Sequence, residues 1–265
     1  MTTSRMPTVF FGHGTPMIAM KQNETTRTWR AILEAMPRPK AILCVSAHWL
    51  TRGIGVTAQA HPPTIHDFGN FPQAMHEMRY PAPGSADLVA RVGQLVAPDP
   101  VVPTDSWGFD HGCWTVLMKA RPEADIPVIQ LSLDATRSPA DHFALGRRLR
   151  PLRDEGVLIM GTGNIVHDLS GVIRQDGVPA RPYAENFSRA IKQAILADDA
   201  DTVIGFERLG EDAARSVPTP DHFWPLLYTL GARHDDDQVS LATDFIEYSS
   251  IDMTTVMLTP RAIAA

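Results

Sequence analysis

The sequence predicts an α/β fold, a single domain over residues 1–265 with a mixed or largely parallel central sheet flanked by helices. Three observations carry this expectation. Short continuous apolar runs, such as AILCV at residues 41–45, read as strands buried on both faces, as in parallel sheets covered by helices. These runs alternate along the chain with segments of helical spacing. No repeat, low-complexity tract or shift in composition marks a linker, and 265 residues suit one α/β domain.

The elements follow in order. Residues 8–11 form a strand, and residues 12–16 a tight turn around His13. Residues 24–36 form a helix that Asn23 caps and that Pro37 and Pro39 stop. The strand at 41–45 ends at Ser46 and Ala47, small residues that let the backbone leave the sheet, and residues 54–57 read as another strand. Residues 61–84 are rich in Pro, Gly, His and aromatics, and a loop this long in a compact domain usually carries function. Ser85 caps a helix with Leu88, Val89, Val92, Leu95 and Val96 at helical spacing. A short strand at 101–104 precedes a second Gly/aromatic loop, SWGFDHGCW at 106–114, which leads into a short helix near 114–119. Residues 127–133 are a strand, and Ser138 with Pro139 opens a helix to about residue 153. A strand at 157–161 and a helix at 182–197 come next. Thr219 and Pro220 then open a helix carrying His222, and residues 239–244 and 251–258 are late strands.

Composition excludes several classes of function. With 44% hydrophobic and 20% charged residues, the chain is an ordinary globular sequence. A formal net charge of -6 and no basic block argue against a nucleic-acid partner or an anionic membrane surface. No apolar run is long enough to span a bilayer, and the first residues lack the pattern of a signal peptide. Only Cys44 and Cys113 are present, which excludes a disulfide scaffold and makes a cytoplasmic location the expectation.

The chain has ten histidines. His13, His48 and His167 each follow an apolar strand, in TVFFGH, AILCVSAHW and VLIMGTGNIVH. A parallel sheet would deliver all three to its carboxyl edge, where open α/β sheets keep their ligands. Neutral imidazole is the commonest metal ligand, although no close-spaced signature such as H-E-x-x-H is present. Any one of these residues, taken alone, reads as a loop histidine satisfied by backbone groups. His222 either points into the same cleft or decorates a first turn beside Asp221, whose charge suits the helix dipole. His66 with Asp67 either lines a pocket or forms an Asx-type turn, the turn being the safer reading, and the adjacency of Asp110 and His111 does not by itself make a dyad. His61, His76, His142 and His234 read as surface or loop residues.

The stretches GHGTPM, SAHW, IHDFGNFPQAM, YPAPGS, WGFDHGCW, GTGNIVHDL and TPDHFWPLL occur in this order. Together they resemble the DOPA 4,5-dioxygenase type of class III extradiol ring-cleavage dioxygenases, over nearly the whole chain. The resemblance implies a non-haem metal enzyme that opens a catechol ring beside its hydroxyls, with a small aromatic diol and O2 as its partners. It implies His13, His48 and His222 as metal ligands, and His167 as either a further ligand or an acid–base residue beside the metal. It places His111 in the substrate pocket as a catalytic residue. Ring-opening iron sites usually present two histidines and a carboxylate, whereas three histidines also suit zinc. Zinc has no redox chemistry, so the dioxygenase resemblance implies Fe(II) for catalysis, with Zn(II) as an occupant of purified protein. Trp49, Phe68, Trp107 and Phe109 either wall an aromatic pocket or, taken one at a time, are simply core, and Arg52 and Arg181 are loop cations available to a substrate carboxylate. A zinc-dependent hydrolase, with His167 deprotonating a metal-bound water, is an alternative, as is a non-catalytic binding protein on the same fold. Presence of every motif histidine favours the enzyme. The motifs leave open the catechol, the ring position and the oligomeric state.

Overall fold

Alternation along the central strands buries each of them twice. In β1 (Thr8–Gly12), Val9 and Phe11 join one apolar cluster and Phe10 the other. The computed structural model describes residues 5–175 and 177–261. After β1, a 3-10 turn (Pro16–Met20) leads to α1 (Glu24–Ala35), which Asn23 and Thr26 close with a reciprocal capping box. β2 (Ala41–Thr51), β3 (Ile54–Thr57), α2 (Gln73–Glu77), α3 (Ala86–Leu95) and β4 (Val101–Thr104) follow. Next come α4 (His111–Ala120), β5 (Val128–Asp134), α5 (Pro139–Leu149), α6 (Pro151–Asp154) and β6 (Val157–Gly163). The remainder comprises α7 (Pro182–Leu196), α8 (Ala200–Ile204), α9 (Glu211–Ser216), α10 (Trp224–Gly231), β7 (Asp237–Ala242), β8 (Ile246–Glu247), β9 (Ile251–Asp252) and β10 (Thr255–Pro260).

Eight strands form one sheet in the order β4-β3-β5-β2-β6-β1-β10-β7. The central four, β5, β2, β6 and β1, are parallel, and β10 and β7 close one side antiparallel. The α/β expectation is met, with a mixed and mostly parallel sheet. Helices α1 and α4 cover the face carrying Val9, Phe11, Ile42, Cys44, Leu158 and Met160. On the opposite face α3, α5, α7 and α10 cover Phe10, Leu43, Val45 and Ile159. Two covered faces explain why apolar residues follow one another directly in these strands instead of alternating with polar ones.

Several boundaries differ from the sequence reading, each for a local reason. β2 does not leave the sheet at Ser46; it runs to Thr51, and its pairing with β5 shifts register between Val45 and Leu50. A β-bulge of this kind re-aims side chains without ending the strand. The helix expected near 114–119 begins at His111, because the Asp110 side chain accepts from the Cys113 N–H and caps it. The segment from Pro139 to Asp154 is two helices, broken at Arg150 ahead of Pro151. His222 ends a 3-10 turn (Pro220–His222) in front of α10. Short helices α8 and α9 and the β8–β9 hairpin carry too little periodicity to be read from sequence. His142 is fully buried and bonds the Tyr228 hydroxyl, so it is a core residue and not a surface one.

Arg153 locks the far end of the sheet. It is fully buried and donates to Met6 O at 2.8 Å, to Ala232 O at 2.7 Å and to the buried Asp237 carboxylate at 2.9 Å. Removing one member of such a pair strands the other charge in the interior. Arg153→Met is expected to lower unfolding stability by about 3–5 kcal/mol. Urea denaturation checks this, and a change below about 1 kcal/mol would show that the pair contributes little.

Candidate functional site

The parallel register decides where the histidines meet. β6 pairs with β1 up to Gly12↔Gly163 and with β2 up to Ser46↔Thr162, so the pairing among the three strands stops at one level, although β2 continues beside β5. His13 lies one residue past this line and its N–H bonds Gly163 O at 3.0 Å. His48 lies two residues past it. The chain after β6 stays close: Asn164 donates its side-chain amide to His13 O at 2.6 Å and to Asp252 O at 2.8 Å. The Asn164 N–H bonds His222 O at 2.8 Å and brings in the turn before α10. Gly163 allows this approach, since a Cβ there would come within 2.1 Å of His222 O.

His13, His48 and His222 each offer a ring nitrogen, and these three atoms lie within 4.8 Å of one another. The two Nε2 atoms of His13 and His48 are 3.0 Å apart. Two imidazoles bound to one ion at about 2.1 Å and near right angles would have about that spacing. Burial, followed by the neighbouring imidazoles, holds His13 and His48 well below the ordinary histidine pKa. These two rings are therefore neutral donors, the form that ligates metals. His13 is only 2% exposed, and its Nδ1 has no hydrogen-bond partner among the described residues. A divalent cation fits this donor set.

Carboxylates stand behind two of the rings. The His222 Nδ1 lies 2.5 Å from Asp221 Oδ2, which leaves Nε2 for the cluster. Burial works against the Asp221 charge, but the bond from His222 overrides it and takes the carboxyl down to about 2. Asp221 is thus more than a first-turn residue suited to the helix dipole. Asp67 accepts the His111 backbone N–H at 2.8 Å and faces its Nδ1 at 2.9 Å. The same carboxylate oxygen lies 3.9 Å from His48 Nδ1. The bonds from His111 outweigh burial and keep Asp67 below the usual carboxylate range. Sequence reasoning favours a turn for Asp67 over a pocket wall and does not reach its partner, which lies 44 positions away. What brings them together is a bridge between Thr64 and Phe109, which pins the first Gly/aromatic loop to the second.

Asp110 holds the other side. Its buried carboxyl accepts from Ser46 Oγ at 2.7 Å and from the Gln130 amide, and burial raises its pKa to about 6. Gly112 lets α4 lie against β2, since a Cβ there would come within 2.5 Å of Ser46 Oγ and 2.8 Å of His48 Cδ2. The His111 ring consequently sits 3.8 Å from the His48 ring, centroid to centroid.

His167 lies apart from the three clustered nitrogens. Its ring stacks on His222 at 3.5 Å and 4°, and burial, then the His222 imidazole, lowers its pKa to about 3. Among the expected aromatics, Phe68 lies 5.9 Å from His111 and Trp49 stacks on Trp107 at 5.6 Å. Phe109 belongs to the core and is fully buried. No helix among the described residues is long and apolar enough to cross a membrane.

Residues 4–259 match the family described as the catalytic LigB subunit of aromatic ring-opening dioxygenase. The chain is 44% identical to a 4,5-DOPA dioxygenase extradiol of Escherichia coli over 263 residues, 97% of this chain and 96% of that one. A Beta vulgaris protein of the same name is 37% identical over 242 residues, covering 88% of this chain and 89% of the relative. The crystal structure of an uncharacterized Escherichia coli protein superposes with a TM-score of 0.83 at 41% identity, covering 96% of this chain and 99% of the other. A family match along almost the whole chain, joined to this imidazole cluster, has one consequence: the chain belongs to the LigB family of aromatic ring-opening dioxygenases.

Proposed function

We propose that the chain is a metal-dependent extradiol dioxygenase that opens a catechol-type ring, DOPA-like or a related phenolic, with O2. The observation that carries this reading is the convergence of His13, His48 and His222 within 4.8 Å. Relatives named 4,5-DOPA dioxygenase extradiol support the choice of substrate class. Fe(II) held by these three histidines would supply open coordination positions and redox chemistry for the diol and O2. Zinc fits the same donors but has no redox chemistry.

The remaining roles follow from tautomers and partners. Asp221 accepts from the His222 Nδ1–H and so would leave Nε2 to the metal, the usual arrangement behind a ligating histidine. Asp67 likewise holds the proton on His111 Nδ1, leaving Nε2 as an acceptor beside His48. A proton taken at that Nε2 makes an imidazolium that the Asp67 carboxylate stabilises. Burial keeps His167 neutral, with its ring stacked on His222. In this reading His167 is a residue beside the metal rather than a fourth ligand, because its ring nitrogens are not among those that converge within 4.8 Å. Phe68 would help to wall the aromatic substrate beside His111.

Anaerobically iron-loaded protein, given a panel of catechols, is expected to consume oxygen and form a yellow product. Full turnover with zinc alone and no oxygen uptake would instead favour a hydrolase. His13→Ala, His48→Ala and His222→Ala should each lose metal on dialysis, measured by elemental analysis. Wild-type metal content in any of them removes that residue from the ligand set. Asp67→Asn is expected to lower kcat by about 10–100-fold, by removing the carboxylate that fixes a working imidazole. Unchanged kcat with metal retained would show that His111 needs no such support.

A further inference from the structure

The strongest unexplained feature lies beside the imidazole cluster, where a lysine, a glutamate and a tyrosine meet. Lys21 follows the 3-10 turn Pro16–Met20, a few residues past His13. Its Nζ is 3.4 Å from Glu247 Oε1 and 3.3 Å from the Tyr248 hydroxyl. A Cβ on Gly14 would come within 3.0 Å of Glu247 Oε2, so this carboxylate lies against the residue that follows His13. Partial burial opposes the charge on Lys21, but Glu247 and Tyr248 outweigh it and raise its pKa, which keeps the ammonium charged.

The segment presenting Glu247 and Tyr248 is held in a costly conformation. Tyr248 has φ 51° and Ser249 φ 72°, left-handed values at two successive non-glycine residues. Such geometry persists where the surroundings enforce it, and it concentrates at functional sites. Here Ile173 donates its N–H to Tyr248 O at 3.0 Å and Arg181 donates its N–H to Ser249 O at 2.8 Å. The returning arm of the hairpin bridges His167 through Ile251, and the Asp168 N–H bonds Ser250 O at 3.2 Å. One rigid hairpin thus ties Glu247 and Tyr248 to the histidine stacked on His222.

Unlike the sealed Arg153–Asp237 pair, this one stays open to solvent, with Lys21 33% and Glu247 18% exposed. A partly exposed ion pair contributes little stability, so a ligand can exchange with it at small cost. The geometry points to a subsite in which Lys21, Tyr248 and Glu247 receive the zwitterionic end of an amino-acid side chain on the catechol ring. Its carboxylate would take the Lys21 ammonium and the Tyr248 hydroxyl, and its ammonium would take Glu247. A ligand with a single charge would leave one member of the pair without a counter-ion. Of the two cations marked in the sequence, Arg52 is exposed in the turn after β2, and Arg181 donates to Gly171 O. This proposal rests on the catechol reading above.

The test titrates zinc-loaded protein calorimetrically with four catechols of one ring pattern. These are 3,4-dihydroxyphenylalanine, its decarboxylated amine, 3-(3,4-dihydroxyphenyl)propionate and 4-methylcatechol. KM values of the iron-loaded enzyme are measured in parallel. For Lys21→Met, the preference for the amino acid and the propionate over 4-methylcatechol is expected to fall about tenfold, as for one charge-assisted hydrogen bond. For Glu247→Gln, the preference for the amino acid and the amine over 4-methylcatechol should fall by a similar factor. Melting temperatures near that of the wild type keep the comparison clean. Equal changes across all four ligands, or none, would overturn the subsite while leaving ring opening intact. Wild-type protein that binds and opens none of the four would sink the catechol reading and the subsite with it.

Discussion

The common level at which β1, β2 and β6 stop pairing with one another is the constraint on which the site depends. Parallel pairing fixes Gly12 opposite Gly163 and Ser46 opposite Thr162. A one-residue slip would turn every side chain to the other face and carry the two apolar clusters with it. Because both faces are covered by helices, such a slip is opposed along the whole length of each strand. The positions of His13 and His48 are thereby inherited from the core. Packing that has nothing to do with chemistry holds two imidazole nitrogens 3.0 Å apart.

Other elements are fitted onto that edge by short polar contacts. Asn164 is the central clamp, bonded to the backbone of His13, Asp252 and His222, and so joining three segments far apart in sequence. Capping by Asp110 starts α4 at His111, and the Ser46–Asp110–Gln130 contacts press that helix end against β2. Glycines at 112 and 163 remove the Cβ atoms that would hold these pieces apart. The site therefore has a rigid half on strand ends and a half on loops whose positions come from side-chain bonds. Function built on loops over a rigid scaffold is the usual division in α/β proteins.

Charge is arranged with similar economy. Buried imidazoles gather in the centre, and carboxylates stand one layer behind, Asp221 on His222 and Asp67 on His111. Each carboxylate selects which ring nitrogen carries the proton, and with it which nitrogen faces inward. Asp67 also lies 3.9 Å from His48 Nδ1, so a single side chain borders both the clustered and the adjacent imidazole.

By itself the sequence determined the α/β class, most element positions and the identity of the clustered histidines. Apolar runs and caps are local signals, and ordered motifs carry the family resemblance. His13 and His48 were legible because each ends or overruns such a run, while His222 came from the resemblance alone. Tertiary structure decided what depends on distance in space: the separation of His167 from the three clustered nitrogens, the pairing of Asp67 with His111, and the meeting of Lys21 with Glu247. Residues 67 and 111 are 44 positions apart, and residues 21 and 247 are 226 apart. Periodicity and spacing describe neighbours along the chain, whereas these contacts exist only once sheet register and loop bridges have closed it.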